Sequence, residues 1–209
     1  MDHSHDESIA AIYDSSATTY DAGRDEFDLT EVLRDFRAKL PASGNLLDLG
    51  CGAGRPVALE FASSGWQVTG VDRSRAMLDL AGKFVPGIQV IHADMRSVRF
   101  PDQSFDAIVA IYALFHVPWT DHPALFANMR AWLRPGGTAL FTYATRAYTG
   151  HDRFNGTKEF MGRELFYSHT TPEDLFVQLD AAGLDVVDAQ DRTIAGETFL
   201  WVTVRPRST

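Results

Sequence analysis

Short apolar runs alternate along this chain with segments in which apolar residues recur at helical spacing. The runs predict four strands in the first half of the chain, at residues 45–49, 67–71, 88–91 and 105–111. Helices are predicted between them, from Pro56 to Ser63 and, after the capping residue Ser74, to about Phe84. The fourth run is almost continuously apolar, which is typical of a parallel strand buried on both faces.

Two further helices are predicted before the first strand. They run from Ser8 to Tyr20 and from about Leu29 to Leu40, where Pro41 ends the pattern. Because both precede the first strand, we expect them to lie outside the repeating αβ core.

The second half of the chain continues the alternation. A helix is predicted over residues 122–133, followed by an LRPGG turn and a fifth strand over residues 138–143. Thr171 and Pro172 predict the start of a last helix, and two strands follow it, at residues 186–189 and 198–204.

One connection in this pattern is unusually long. Residues 144–170 are rich in glycine, aromatic residues and charges of both signs. Connections longer than about 12–15 residues are usually binding loops or lids. We therefore interpret this segment as a substrate-recognition insertion, with a short helix around Lys158 to Phe166.

The first strand ends in a glycine-rich turn. Gly50, Gly52 and Gly54 follow it in the sequence DLGCGAGR, and a helix begins directly after them. Glycines allow a sharp bend and a close approach to a ligand, and the free N–H groups of the next helix face that ligand. The second strand ends at Asp72, about twenty residues further on, where a carboxylate can accept hydrogen bonds from ribose hydroxyls. This pattern favours a nucleotide cradle over a turn that merely joins a strand to a helix.

The glycine spacing distinguishes between nucleotides. Dinucleotide enzymes use G-x-G-x-x-G, and here Arg55 stands where the third glycine would fall. With DLGCGAGR followed by GVDRS, the chain resembles the class I S-adenosylmethionine-dependent methyltransferases, in the branch that methylates small molecules. The resemblance implies a Rossmann-like three-layer α/β fold. Its mostly parallel sheet would have seven strands in the order 3-2-1-4-5-7-6, with strand 7 antiparallel.

The length of 209 residues and the 45% apolar content suit one domain. We expect residues 1–41 to form an N-terminal helical lid and residues 42–143 the cofactor-binding core. Residues 144–170 would form the insertion, and residues 171–209 a C-terminal helix and strand hairpin.

The resemblance also implies S-adenosylmethionine as cofactor and a set of residues that bind it. An acid after the third strand would bond the adenine amino group beside an apolar neighbour, and tyrosines of the N-terminal segment would contact the methionine end. The tyrosines have an alternative role in packing that segment onto the core. The expected cofactor-binding residues are Tyr13, Tyr20, Gly50, Cys51, Gly52, Gly54, Asp72, Arg73, Asp94, Met95 and Ile111.

His116 is the first candidate for a catalytic base. It follows the fourth strand, and ligands of open αβ sheets bind outside the carboxyl ends of strands. A histidine would activate a hydroxyl or phenol acceptor, whereas an amine needs only positioning, and His116 could instead serve in packing. His169 is the second catalytic candidate, and the expected substrate-binding residues are Tyr112, His151, Phe160 and Tyr167.

Charge and cysteine content narrow the expected partners and setting. The net charge of −9 disfavours nucleic acid, so we expect a small-molecule methyl acceptor, compact and partly apolar, of the kind found among specialised metabolites. Cys51 is the only cysteine, and the N-terminus has no signal-peptide core, so we expect a cytoplasmic protein without a membrane span or a metal. A monomer and a homodimer both remain open. The competing functions are a dinucleotide-dependent oxidoreductase and a protein that binds S-adenosylmethionine without methyl transfer.

Overall fold

The computed structural model describes residues 9–17, 27–160 and 162–207. Its helices, in chain order, are α1 (residues 9–17), α2 (Thr30–Arg37), α3 (Val57–Ser63), α4 (Arg75–Phe84), α5 (His122–Trp132), α6 (Arg146–Thr149) and α7 (Pro172–Ala181). Its strands are β1 (Asn45–Leu49), β2 (Gln67–Asp72), β3 (Gln89–His92), β4 (Phe105–Ala110), β5 (Leu133–Tyr143), β6 (Phe154–Phe160), β7 (Arg163–His169), β8 (Leu184–Ile194) and β9 (Glu197–Pro206).

Seven of these strands form one sheet in the order β3-β2-β1-β4-β5-β9-β8. The strands from β3 to β5 are parallel, and β9 is antiparallel to both β5 and β8. Since β8 and β9 are the sixth and seventh strands of this sheet in chain order, the predicted order 3-2-1-4-5-7-6 with an antiparallel strand 7 is confirmed.

Apolar side chains pack on both faces of the sheet. On one face, Leu47 and Ile108 belong to a core that includes Phe126 of α5 and Leu179 of α7. On the other, a second core combines side chains of the sheet with side chains of α2 and α3, namely Leu46, Val109, Leu33, Phe36, Val57 and Phe61. The helices on both faces give the three layers that the resemblance implied.

The fifth strand is longer than the sequence pattern indicated. Leu133 pairs with Phe105 and Thr138 pairs with Ala107, so residues 134–137 form an irregularity within β5. Gly136, with φ of 81°, takes the left-handed conformation that this bend requires. The predicted Pro-Gly-Gly turn is therefore a bulge within the strand.

The insertion contains a β-hairpin. Strands β6 and β7 pair only with each other, for example Thr157 with Phe166, and the short helix α6 precedes them. The prediction of a helix around Lys158 to Phe166 is wrong. Along β6, exposure alternates at every second residue, which is the period of a strand rather than a helix.

Across residues 9–17, 27–160 and 162–207, no helix combines the length and the apolar character that a bilayer crossing needs. The same ranges hold no group of three or more histidine, cysteine or acidic side chains arranged to bind a metal ion.

Candidate active site

A cavity lies at the carboxyl ends of β1, β2 and β4, where α1 covers it. The parallel register places Leu49 beside Val71 and Asp48 beside Val109, so the carboxyl ends of these strands adjoin. Helix α1 contributes Ile9, Ala10 and Tyr13 to the lining. The remaining lining comes from the glycine turn and from the segments after β2, β3 and β4. This is the edge at which open αβ sheets bind ligands.

Each glycine of the turn has a positive φ, but the three glycines have different neighbours. A Cβ added to Gly50 would lie 2.5 Å from the Cβ of Ala113, and one added to Gly54 would lie 2.7 Å from Cγ2 of Val85. A Cβ on Gly52 would meet no described atom within 4 Å. Gly52 therefore presents open backbone to the cavity, while Gly54, which is not a lining residue, allows the turn to pack against the end of α4.

Asp72 is anchored to the glycine turn by its carboxylate. Its Oδ2 accepts from the Gly52 N–H at 2.8 Å, and its Oδ1 accepts from the Ser74 N–H at 2.9 Å. Burial raises the pKa of Asp72, and these backbone hydrogen bonds oppose that rise. Each carboxylate oxygen retains acceptor capacity for a further hydroxyl. Asp72 is thus positioned to accept two hydroxyl donors inside the cavity.

Asp94 lines the cavity beyond Asp72 and is held by two arginines. Arg96 contacts both carboxylate oxygens, with Nη2 2.6 Å from Oδ2, and Nε of Arg73 lies 3.7 Å from the same oxygen. Burial acts to raise the pKa of Asp94, but the hydrogen bonds and charges of these arginines lower it overall. Asp94 remains ionised and can accept from an amino group, with Met95 beside it in the lining.

Tyr13 and His116 meet across the cavity. The Tyr13 hydroxyl lies 3.0 Å from Nε2 of His116, and Nδ1 of His116 lies 2.7 Å from the carbonyl oxygen of Phe166 in β7. A carbonyl only accepts, so we assign the proton to Nδ1, and Nε2 then accepts from Tyr13. Burial lowers the pKa of His116 to about 4. The ring is therefore neutral near pH 7, with its Nε2 lone pair directed toward Tyr13.

Tyr112 forms the wall where β4 ends. Its φ of 55° is unusual for a residue with a side chain, and its N–H donates to Oγ1 of Thr142 at 2.6 Å. The ring contacts Phe199 and Trp201 edge-on. This sharp turn allows both Ile111 and Tyr112 to line the cavity.

The structure brings most of the expected site residues together. Those that line the cavity are Tyr13, Gly50, Cys51, Gly52, Asp72, Arg73, Asp94, Met95, Ile111, Tyr112 and His116. Burial raises the pKa of the Cys51 thiol well above its usual value, so this side chain is a neutral packing group. Tyr20 lies outside the described residues.

Four candidates from the insertion, His151, Phe160, Tyr167 and His169, lie outside the cavity lining. His169 is buried and bonds to Oγ1 of Thr149 at 2.7 Å and to the carbonyl of Thr170. Tyr167 is buried against Phe115 and the ring of His116. Because β7 packs against the turn that carries His116, its side chains fill the core beside that turn.

Other residues of the site were missed by the sequence analysis. Arg96 was not identified as the partner of Asp94, and Ser74 was identified only as a helix cap. Ile9 lies four residues before Tyr13, and this helical spacing could have predicted its position in the cavity wall.

Comparison with known proteins agrees with this geometry. Residues 46–137 match the model of a family described as a methyltransferase domain. The chain is 31% identical over 156 residues to the 2-phytyl-1,4-naphtoquinone methyltransferase of Synechococcus elongatus, a match that covers 68% of this chain and 66% of that protein. The chain spans between 31% and 66% of the length of the curated relatives compared.

Solved structures share the fold. The Burkholderia thailandensis 1,6-didemethyltoxoflavin-N1-methyltransferase has a TM-score of 0.76 at 22% identity, covering 100% of this chain and 91% of that one. The cyclase SpnF has a TM-score of 0.73 at 20% identity, covering 96% of each chain. These two structures share the fold, and the matching family model and the 31% identical relative, together with the glycine turn and the strand order, show that the chain belongs to the class I S-adenosylmethionine-dependent methyltransferase family.

Proposed function

We propose that this protein transfers a methyl group from S-adenosylmethionine to an oxygen or nitrogen atom of a small molecule. The observation that carries the proposal is the Asp72 carboxylate, which is fixed by the Gly52 and Ser74 N–H groups at the edge of the cavity. Family membership supports the reaction class. The net charge of −9 supports a small acceptor rather than a nucleic acid, and the single cysteine supports a cytoplasmic setting.

The residues present fit an adenosyl cofactor. Asp72 would accept the ribose hydroxyls, Asp94 would accept the adenine amino group, and Gly52 leaves backbone exposed where a Cβ would intrude. Ile9 and Tyr13 would cover the methionine end from α1. When bound, S-adenosylmethionine supplies an electrophilic methyl group for in-line displacement. The contribution of the protein is to align donor and acceptor, which can be worth about 7–11 kcal/mol in well-oriented systems.

His116 is the candidate base for a protonated acceptor. Its Nδ1 is committed to the Phe166 carbonyl, so a proton from a hydroxyl or phenol is taken up at Nε2. The Tyr13 hydroxyl already donates a hydrogen bond to this atom. The proton of the methyl acceptor would therefore reach Nε2 from the side that Tyr13 occupies. A general base supplies about 10²–10⁴-fold when its pKa lies near the working pH, and because burial lowers the pKa of His116 to about 4, we expect the lower end of that range.

Titration calorimetry tests the cofactor assignment. We expect S-adenosylhomocysteine to bind at micromolar concentration or below and NAD to show no binding. Incubation with labelled S-adenosylmethionine and a panel of phenols, carboxylic acids and amines should yield S-adenosylhomocysteine with at least one acceptor class. Binding of NAD in place of S-adenosylhomocysteine would overturn the proposal in favour of an oxidoreductase.

A second candidate function is binding of S-adenosylmethionine without methyl transfer. The observation in its favour is the likeness of the fold to SpnF, which is described as a [4+2]-cyclase. Tight binding of S-adenosylhomocysteine with no turnover over the whole acceptor panel would favour this alternative.

A further inference from the structure

The described part of helix α1 covers residues 9–17. Helices in proteins gain most of their stability from tertiary packing. In this part Ile9 and Ala17 are buried, at 4% and 5% exposure. The position of the cavity-facing residue Tyr13 therefore depends on the contacts between this helix and the rest of the protein.

Asp14, the neighbour of Tyr13, makes two polar contacts between the described part of α1 and the body of the protein. Its Oδ1 accepts from the Ser74 hydroxyl at 2.5 Å and from the Ala76 N–H at 3.0 Å. Both donors belong to the N-terminus of α4, where Ser74 also caps Met77. A carboxylate suits this place because the first N–H groups of a helix lack partners within it and carry partial positive charge.

Tyr13 and Asp14 thus join two different parts of the cavity. Asp14 binds the helix that follows Asp72, and the Ser74 that it contacts also donates its N–H to Asp72. Tyr13 binds His116 on the opposite wall. Consecutive helical residues point about 100° apart, so one helix reaches both walls through adjacent side chains.

We propose that Asp14 is a positioning residue that, by anchoring α1 to the N-terminus of α4, holds the Tyr13 hydroxyl against Nε2 of His116. This role rests on the proposed function, in which His116 faces the methyl acceptor and α1 covers the cofactor. Asp14 is not itself a lining residue of the cavity; it contacts the lining residue Ser74 and acts through the placement of its neighbour Tyr13.

Nitrogen NMR of histidine-labelled protein tests the proposal without an acceptor. The His116 Nε2 resonance, assigned by its loss in His116→Gln, reports the hydrogen bond from Tyr13. We expect Tyr13→Phe to move it toward the value of an unbonded imidazole and Asp14→Ala to move it in the same direction. Asp14→Asn, which keeps the accepting oxygen, should leave it unchanged, as should the control Ser15→Ala, an exposed neighbour that bonds only to the Ile12 carbonyl.

The double variant Tyr13→Phe with Asp14→Ala separates positioning from a general structural effect. If Asp14 acts through Tyr13, the second change adds no further shift. An unchanged resonance in Asp14→Ala, or an additional shift in the double variant, would overturn the proposal. Should Asp14→Ala fail to fold, Asp14→Glu moves the carboxylate by one methylene group, and it should shift the resonance likewise.

Binding of S-adenosylhomocysteine gives an independent measurement. We expect Asp14→Ala to weaken it about fivefold, the equivalent of one lost hydrogen bond, and Asp14→Asn to stay within about twofold. Equal affinity in Asp14→Ala and the wild type would contradict the anchoring role. If the wild type itself does not bind, the proposed function fails while the NMR comparison still decides the role of Asp14.

Discussion

Replacement of Asp72 by alanine tests the cofactor site most directly. Asp72 accepts from two backbone N–H groups and, in the proposed complex, from two ribose hydroxyls. Hydrogen bonds to a charged group contribute about 1.5–3 kcal/mol each, so losing both ribose contacts should weaken binding by roughly 3 kcal/mol or more. This corresponds to a rise in the Kd for S-adenosylhomocysteine of at least about 100-fold.

The same change should also destabilise the turn. The Gly52 and Ser74 N–H groups would lose their acceptor, and an unpaired buried donor costs about 1–3 kcal/mol unless water replaces the acceptor. For a protein of this size, a loss near 2 kcal/mol lowers the Tm by about 4–8 °C. The thermal unfolding curve of Asp72→Ala should therefore be measured before the titration, so that the Kd values are compared only at temperatures where both proteins are folded.

Asp79→Ala is the matched control for this experiment. Asp79 is an exposed acid on α4 that pairs with Arg75 on the same helix surface. Its removal should change neither the Kd nor the Tm appreciably, because exposed ion pairs contribute little. Asp72→Ala protein that binds S-adenosylhomocysteine within threefold of the wild type would refute the assignment of Asp72 to the cofactor.

Three further predictions concern the turn and the buried histidines. Gly52→Val places a side chain in the open side of the turn at φ of 52°, and calorimetry should detect no S-adenosylhomocysteine binding; normal affinity would exclude the cradle. His116→Gln should lower turnover by about 10²-fold or more with an accepted hydroxyl substrate while the Kd for S-adenosylhomocysteine stays within about threefold; equal turnover would assign His116 to packing. Burial lowers the pKa of His116 and of His122 to about 4, so the unfolded chain binds more protons than the folded one between about pH 4 and pH 6.5. Stability from these two residues should be fully present above pH 6.5 and be lost as the pH falls toward 4, and urea unfolding should show a shallower pH slope in His122→Asn than in the wild type.

The sheet could be predicted well from the sequence because its signals are local. The apolar runs at β1 and β2 are followed by a glycine and an acid, and the run at β4 is almost continuously apolar. Both predicted caps, Ser74 and Thr171, accept the expected hydrogen bonds from Met77 and Asp174. The part of the candidate site around Gly52 and Asp72, where we expect the cofactor, could be predicted from the same local signals. Gly52 and Asp72 come together because a strand, a turn and a helix fix the distance between them.

The part of the candidate site around His116, where we expect the methyl acceptor, depends on contacts between residues far apart in the chain. It was therefore less predictable from the sequence. His116 is bonded to Phe166, fifty residues further on, and no local pattern indicates that pairing. The insertion was expected to supply His169 to the site, but the pairing of β6 with β7 turns this side chain into the core. The sequence pattern there is weak, since Gly156 and Lys158 interrupt the apolar alternation that identifies a strand.

The separate pairing of the β6–β7 hairpin has a consequence for redesign. Its strands share no ladder with the seven-stranded sheet, and Thr157 and Glu159 project from it into solvent. Side chains at these outward positions can be changed without disturbing the register of the seven-stranded sheet or the lining of the cavity. The outer face of the hairpin is therefore a place where surface charge or an attachment point can be introduced at a distance from the cavity lining.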